Sequence, residues 1–252
     1  MIQNTKVLQI LNVIAFIAMV AINALAVILP INGQTPGGIS DQLPNLFVPA
    51  GYAFSIWSLI YILLLIFLFI QASSLWSKKA TPDFVKTIGR LFILSCLLNI
   101  SWILSWHYLL FGLSVIVMLS LLTTLGILFL RLNSIQSPFF VKLPFSIYFG
   151  WITVATIANI TAFLVSINWD GFGINPVIWT NIMLGVATIV GIIVMWRKKD
   201  IAYIAVIVWA LVAILSKRQS IGTPEEVSII TIIYICLGTI LLTTSYRVLV
   251  KK

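Results

Sequence analysis

Charged residues are scarce in this chain, and their scarcity excludes a water-soluble fold. Of its 252 residues, 8% are charged, 61% are hydrophobic and only six are acidic. Soluble globular domains carry about 25% charged residues, so this chain has too few charged side chains to cover a folded surface that faces water. The composition therefore predicts a protein that lies largely within a lipid bilayer.

Cysteine, histidine and charged residues within the apolar runs are also scarce, so few side chains are available for catalysis. The two cysteines, Cys96 and Cys236, lie in apolar runs without metal-ligand spacing, so we interpret them as small core hydrophobes. The single histidine, His107, ends an apolar run, and we expect it to be interfacial rather than a haem ligand. No charged residue lies in the middle of an apolar run, although proton relays, ion-coupled transport and hydrolysis depend on such groups. We therefore expect no enzyme activity, no metal site and no required cofactor.

Apolar sequence is abundant, and it falls into eight runs. A helix needs about 20 predominantly apolar residues to cross a bilayer. The runs span residues 7–29, 53–71, 91–106, 110–130, 143–167, 177–196, 201–216 and 227–246. We therefore predict an all-α polytopic membrane protein with eight transmembrane helices.

The basic residues predict the orientation of these spans. Only Lys217 and Arg218 lie in one set of alternate connections, and the other thirteen basic residues lie at the termini or in the remaining connections. The thirteen are Lys6, Lys78, Lys79, Lys86, Arg90, Arg131, Lys142, Arg197, Lys198, Lys199, Arg247, Lys251 and Lys252. Because basic loops stay in the cytoplasm, we predict an integral protein of the bacterial plasma membrane with both termini cytoplasmic. The net charge of +9 then reflects topology and attraction to anionic lipid, and we expect no nucleic-acid partner.

Aromatic residues mark the start of the second span. Pro49 and Gly51 interrupt the chain just before it, and they fix where the helix begins. Phe54, Trp57 and Tyr61 follow at spacing i, i+3, i+7, which places three rings on one helix face. Such a face is typical of ordinary helix packing and equally of one wall of a ligand pocket.

The third and fifth spans each combine tryptophan with an amide. Asn99 and Trp102 share a face of the third span, and Trp151, Ala155 and Asn159 share a face of the fifth. An amide in hydrocarbon needs a partner, so we expect these side chains to point into the bundle or towards a ligand. The small Ala155 allows a neighbouring helix or a flat ligand to approach the backbone.

Together these three stretches resemble the signature of the tryptophan-rich sensory protein family, also called the translocator protein (peripheral benzodiazepine receptor-like) family. The resemblance covers roughly the first two-thirds of the chain. It implies a five-helix bundle that holds a flat lipophilic ligand, such as a porphyrin, between spans two, three and five, with the loop 30–49 closing over it. The implied ligand-binding residues are Pro49, Phe54, Trp57, Tyr61, Asn99, Trp102, Trp151, Ala155 and Asn159.

We accordingly divide the chain into a translocator-like bundle, residues 1–169, and a three-helix membrane extension, residues 170–252. Binding or sensing of a lipophilic small molecule is the leading hypothesis for its function. Transport or export of such a molecule is the alternative, and an enzyme acting on tetrapyrroles or lipids would need chemistry that the sequence lacks. The expected partners are the lipid bilayer and the small molecule. Small residues such as Gly185 and Gly191 permit a homodimer and are equally consistent with packing inside the monomer.

Four further polar residues carry specific expectations. Asn23 and Asn181, within the first and sixth spans, are predicted to form hydrogen bonds between helices. Asp41 and Asp170 lie in loops on the same side of the membrane. Single loop carboxylates are ordinarily solvated, although these two could meet above the bundle.

Overall fold

The structure, a computed structural model, describes residues 4–29, 31–77 and 80–250. Pro30, Lys78, Lys79, Lys251 and Lys252, which entered the predictions above, lie outside these ranges. The described residues are predominantly helical and contain no β-strand.

Eight of the helices are long and apolar enough to cross a membrane, as predicted. They are α1 (Thr5–Ile28), α3 (Ile56–Ala72), α4 (Asp83–His107), α5 (Phe111–Ser134), α6 (Phe139–Ser166), α7 (Pro176–Lys198), α8 (Ile201–Ile221) and α9 (Glu226–Leu249). The short helix α2 (Pro36–Asp41) lies in the first long loop. The predicted second, third and fifth spans are therefore α3, α4 and α6.

Local sequence signals explain where several helices begin and end. Asn175 accepts a hydrogen bond from the backbone N–H of Val177 at 2.8 Å, and Pro176 occupies the first turn of α7. Asp200 caps α8 in the same way by accepting from the backbone N–H of Tyr203 at 2.9 Å. Gly222 ends α8 in the left-handed conformation, with φ +68°. α8 continues to its cap at Gly222, beyond the apolar run from which it was predicted, and α4 begins before its apolar run, directly after Pro82.

The loop between α1 and α3 packs against the bundle. The Asn32 side-chain amide donates to the backbone carbonyl of His107 at 3.0 Å, and the Trp106 indole donates to that of Pro36 at 3.2 Å. Further along, the Ala50 backbone N–H donates to the carbonyl of Ala213 in α8 at 3.0 Å. This loop meets the α4–α5, α6–α7 and α8–α9 connections at one end of the bundle, which we call the loop end.

Helices from both parts of the predicted division share one hydrophobic core. Gly150 of α6 lies so close to α8 that a Cβ atom there would be 3.1 Å from the Tyr203 carbonyl oxygen and 3.1 Å from the Val206 Cβ. Gly191 of α7 similarly allows close contact with Ile204 of α8. The division at residue 169 stays a prediction from the sequence, and the small residues at these two contacts serve packing within one chain. The homodimer also stays a prediction.

Candidate functional site

Six aromatic rings from α3, α4, α6 and the turn before α3 form a cluster. We call Phe54, Trp57, Tyr61, Trp102, Tyr148 and Trp151 the aromatic cluster. Trp57 lies at its centre, with ring centroids 5.7 Å from Tyr61, 6.0 Å from Trp102, 5.8 Å from Tyr148 and 6.4 Å from Trp151. These separations lie within the range of favourable aromatic pairs. The arrangement brings together all five aromatic residues predicted from the second, third and fifth spans.

Tyr148 belongs to this cluster, although the sequence analysis did not single it out. Its side chain is fully buried, and it lies one turn before Trp151 on α6. The i, i+3 spacing of Tyr148 and Trp151 is the signal that could have identified it.

Both polar atoms of the Asn99 side-chain amide form hydrogen bonds within the protein. Its Nδ2 donates to the Tyr148 hydroxyl at 2.9 Å, and its Oδ1 accepts from Asn23 of α1 at 2.7 Å. The predicted interhelical role of Asn23 is thereby confirmed, as is that of Asn181, which donates to Ser228 of α9 at 3.0 Å. Asn99 thus orients Tyr148 within the cluster.

Three hydrogen-bonding groups of the aromatic cluster have no partner among the described residues. They are the Tyr61 hydroxyl, the Trp102 indole Nε1 and the Trp151 indole Nε1, and all three atoms are buried. Buried polar groups in proteins are normally hydrogen-bonded, and an unpaired one costs about 1–3 kcal/mol. Three such groups around one tryptophan make this cluster the candidate site.

The other predicted site residues occupy different positions. Asn159 is buried and accepts a hydrogen bond from Ser114 of α5 at 3.1 Å, while its Nδ2 lacks a partner in the described chain. Ala155 is half-buried, one turn after Trp151. Pro49 is buried in the loop, just before the 3₁₀ turn Gly51–Ser55 that leads into α3. The ring contacts and hydrogen bonds that define the aromatic cluster do not include these three residues.

His107 differs from its prediction. It is fully buried instead of interfacial, and its Nδ1 lies 2.7 Å from the Ile103 carbonyl oxygen. The physical reason is that the first loop packs on this end of α4: Asn32 donates to the His107 backbone carbonyl, and the Pro36 carbonyl accepts from Trp106. Its Nε2 has no partner in the described part of the chain.

A cavity of about 810 Å³ lies at the loop end, and none of the nine predicted site residues lines it. Its walls come from residues 40–48 of the first loop, the second half of α6, the α6–α7 connection, α7, the end of α8 and the start of α9. Asp41 and Asp170 both line it, and Asp41 forms an ion pair with Lys217 at 2.7 Å. We call this space the loop-end cavity.

The eight membrane-length apolar helices among the described residues define an integral membrane protein. Within that class, the chain belongs to the TSPO-like protein family, whose family model matches residues 9–246. The match includes α7, α8 and most of α9, so it extends beyond the part of the chain in which the sequence motifs lie. Neither a curated protein nor a solved structure matches the chain significantly.

Proposed function

We propose that this protein binds or senses a flat lipophilic ligand, such as a porphyrin, at the aromatic cluster and does not convert it. The observation that carries the proposal is the set of three buried donors without partners on Tyr61, Trp102 and Trp151. A porphyrin offers ring faces that can stack on the aromatic rings and carboxylate oxygens that can accept from the three unpaired donors. Family membership supports the same proposal.

The orientation of the rings suits a planar ligand. Trp57 is nearly parallel to Tyr61 and to Trp102, with interplanar angles of 23° and 26°, and Trp102 is nearly parallel to Trp106 at 27°. Trp151 instead meets Trp57 edge-on, at 86°. A planar ligand that enters this set gains stacking area on the parallel rings and edge contacts from Trp151.

Entry to the cluster would pass the first loop. Phe54 lies in the 3₁₀ turn Gly51–Ser55, directly after the part of the loop that is joined to α8 by Ala50. Movement of this turn would part Phe54 from Trp151, whose rings are 6.2 Å apart. We propose that the loop covers the ligand after it enters. In the predicted orientation, the loop lies on the side of the membrane opposite the cytoplasm.

Quenching of tryptophan fluorescence by protoporphyrin tests this function in protein reconstituted into lipid nanodiscs. We expect saturable quenching, weakened by Trp102→Phe and by Trp151→Phe, because each change keeps a ring but removes an indole donor. Trp196→Phe is the matched control, since Trp196 stacks on Tyr246 near the opposite end of the bundle. Quenching that does not saturate, or that all three variants share equally, would contradict the proposal. Loss of porphyrin absorbance over time would indicate turnover, and porphyrin release from loaded vesicles would indicate transport.

A further inference from the structure

The loop-end cavity is a second candidate binding site, separate from the aromatic cluster. Its α6 wall begins at Ile157, whereas the cluster uses Tyr148 and Trp151, two to three turns earlier on the same helix. A volume of about 810 Å³ lies within the range of sites that hold drug-sized molecules. The proposed porphyrin function makes no use of this space.

The charge around the cavity is opposite in sign to that of the whole protein. All six acidic residues of the chain are described, and four of them line the cavity, whereas two of the eleven described basic residues do so. Lys217 pairs with Asp41 at 2.7 Å, and Arg218 pairs with Glu226 at 3.2 Å. These two pairs cancel, so Asp170 and Glu225 leave the lining with an excess of two negative charges in a protein of net charge +9.

One carboxylate oxygen in this lining is buried and has no partner. The side chains of Arg218 and Glu226 are only 4% and 5% exposed, and a single contact joins Arg218 Nη1 to Glu226 Oε1. Glu226 Oε2 has no hydrogen-bond donor among the described residues, and Arg218 Nε has no acceptor there. A buried ion pair needs further hydrogen bonds to offset the loss of hydration. The free Oε2 therefore favours a ligand that brings a donor.

The position of the glutamates at the start of α9 does not account for these observations. Glu225 and Glu226 interact favourably with the positive end of the α9 dipole. That effect explains why acidic residues occur at this helix start. It explains neither the cavity beside them nor the unpaired, buried Oε2 of Glu226.

Apolar side chains form most of the remaining lining. Ile160 and Leu164 of α6 and Met183 of α7 contribute aliphatic surface, and Trp169 and Trp179 contribute two rings whose centroids are 5.5 Å apart. The Trp179 indole N–H already donates to the Gly171 carbonyl at 2.9 Å. The ring faces remain for apolar contact, and tryptophan faces also attract organic cations.

We propose that the loop-end cavity binds an amphiphilic organic cation. Its ammonium group donates to Glu226 Oε2 and is stabilised by the carboxylates of Glu225 and Asp170, while its apolar part packs against α6, α7 and the tryptophan pair. A hydroxyl or carbonyl oxygen beside the ammonium group would accept from Arg218 Nε. The same chemistry describes a free amphiphilic amine and the ethanolamine head group of a membrane lipid.

Three probes with one skeleton test the charge preference: phenylbutylammonium, phenylbutanol and phenylbutyrate. Binding is measured by equilibrium dialysis against the full-length protein in a non-ionic maltoside detergent at neutral pH. We expect the ammonium probe to bind at least about tenfold more tightly than the alcohol, since the lining carries two uncompensated carboxylates and the buried, unpaired Glu226 Oε2. The carboxylate probe should bind most weakly. Equal affinity for all three probes would overturn the proposal.

Two substitutions test whether the preference for the ammonium probe arises in the loop-end cavity. Glu225→Gln should weaken binding of the ammonium probe several-fold and leave binding of the alcohol unchanged. Asp83→Asn is its matched control, because Asp83 is also an exposed carboxylate at a helix start but lies at the opposite end of the bundle. Glu226→Gln should weaken ammonium binding further. If Glu226→Gln does not fold, Glu225→Gln alone tests the proposal. A loss of ammonium binding in Glu225→Gln no larger than that in Asp83→Asn would refute it.

Competition by added lipid shows whether the site holds a lipid head group or a free cation. If phosphatidylethanolamine competes with the ammonium probe and phosphatidylglycerol does not, the site holds a lipid head group. If neither competes while the probe preference persists, the site takes a free cation. Both results support the cation site. Porphyrin quenching in the same variants is expected to be unchanged, so failure of this proposal and failure of the porphyrin proposal can be distinguished.

Discussion

The aromatic cluster and the loop-end cavity lie on two halves of α6 and present polar groups in different ways. In the cluster, the polar groups are neutral donors on large rings, and three of them have no partner. In the cavity, six charged side chains line an apolar space, and two ion pairs cancel most of the charge. Under the two proposals, the first region would select a ligand by shape and hydrogen-bond acceptors, and the second would select one by charge.

Arg218→Met should have the largest effect, and it should damage the cavity more than the cluster. The change leaves the Glu226 carboxylate buried without its partner, which typically costs about 3–5 kcal/mol of stability. Adding Glu226→Gln to Arg218→Met should restore most of this loss, because no uncompensated charge remains. Unfolding in detergent, followed by circular dichroism, measures both variants. Equal stability of the single and double variants would show that the pair is not buried in the folded protein.

Gly150→Ala tests the contact between α6 and α8. A Cβ at this position would lie 3.1 Å from both the Tyr203 carbonyl oxygen and the Val206 Cβ, so α8 must move away. We expect a loss of about 1–3 kcal/mol in the free energy of unfolding and weaker binding of the ammonium probe, because α8 carries Arg218, whose contact with Glu226 positions the carboxylate of the proposed site. Gly185→Ala is the control: nothing lies within 4 Å of its added Cβ, and the better helix propensity of alanine should make it neutral or slightly stabilising. Similar losses in both variants would contradict this account.

Tyr61→Phe and Tyr148→Phe should change stability in opposite directions. The Tyr61 hydroxyl is buried without a partner, so its removal should stabilise the ligand-free protein by about 1 kcal/mol. It should also weaken porphyrin binding several-fold, because a donor to the ligand is lost. The Tyr148 hydroxyl accepts from Asn99, so its removal should destabilise by about 1 kcal/mol. Thermal unfolding with and without protoporphyrin measures both effects, and a loss of ligand-free stability in Tyr61→Phe would argue against the unpaired hydroxyl.

Added salt should produce the smallest change in binding, and it should change binding only at the loop-end cavity. Raising the ionic strength from about 0.05 M to about 0.5 M shortens the range of electrostatic interactions. Binding of phenylbutylammonium should weaken by a few-fold, whereas binding of phenylbutanol should be nearly unchanged. Equilibrium dialysis at the two salt concentrations provides the measurement. An equal response of both probes would indicate that charge does not drive binding in the cavity.

Most of the helical framework could be predicted from the sequence because its causes are local. Apolar runs of membrane length identified all eight spans, and spacing within α3 placed Trp57 and Tyr61 on one face, whereas Phe54 lies in the 3₁₀ turn just before that helix. Helix ends were less accurate, since α4 begins at Asp83 and α8 ends at Ile221, beyond their apolar runs. The backbone hydrogen bonds of a helix can continue past the last apolar residue, so hydrophobicity alone underestimates helix length.

The sites were predictable to unequal degrees. Trp57, Trp102 and Trp151 come from three helices whose aromatic faces could each be identified in the sequence, and the structure brings these faces together. Asn159, predicted for the same site, instead pairs with Ser114. The loop-end cavity had no comparable signal, because its acidic residues come from two loops and the start of α9. Each of them alone is typical of a solvated carboxylate.

The sequence by itself determined the membrane environment, the eight spans and the aromatic face of each motif, because hydrophobicity and helical periodicity act within one segment. Only the tertiary structure decided that His107 is buried, that Tyr148 completes the aromatic cluster, and that four carboxylates surround one cavity. These outcomes depend on the rotation and crossing of helices distant in the chain, and on where the first loop folds. Close packing between elements sets those positions, and a pattern within a single segment does not contain them.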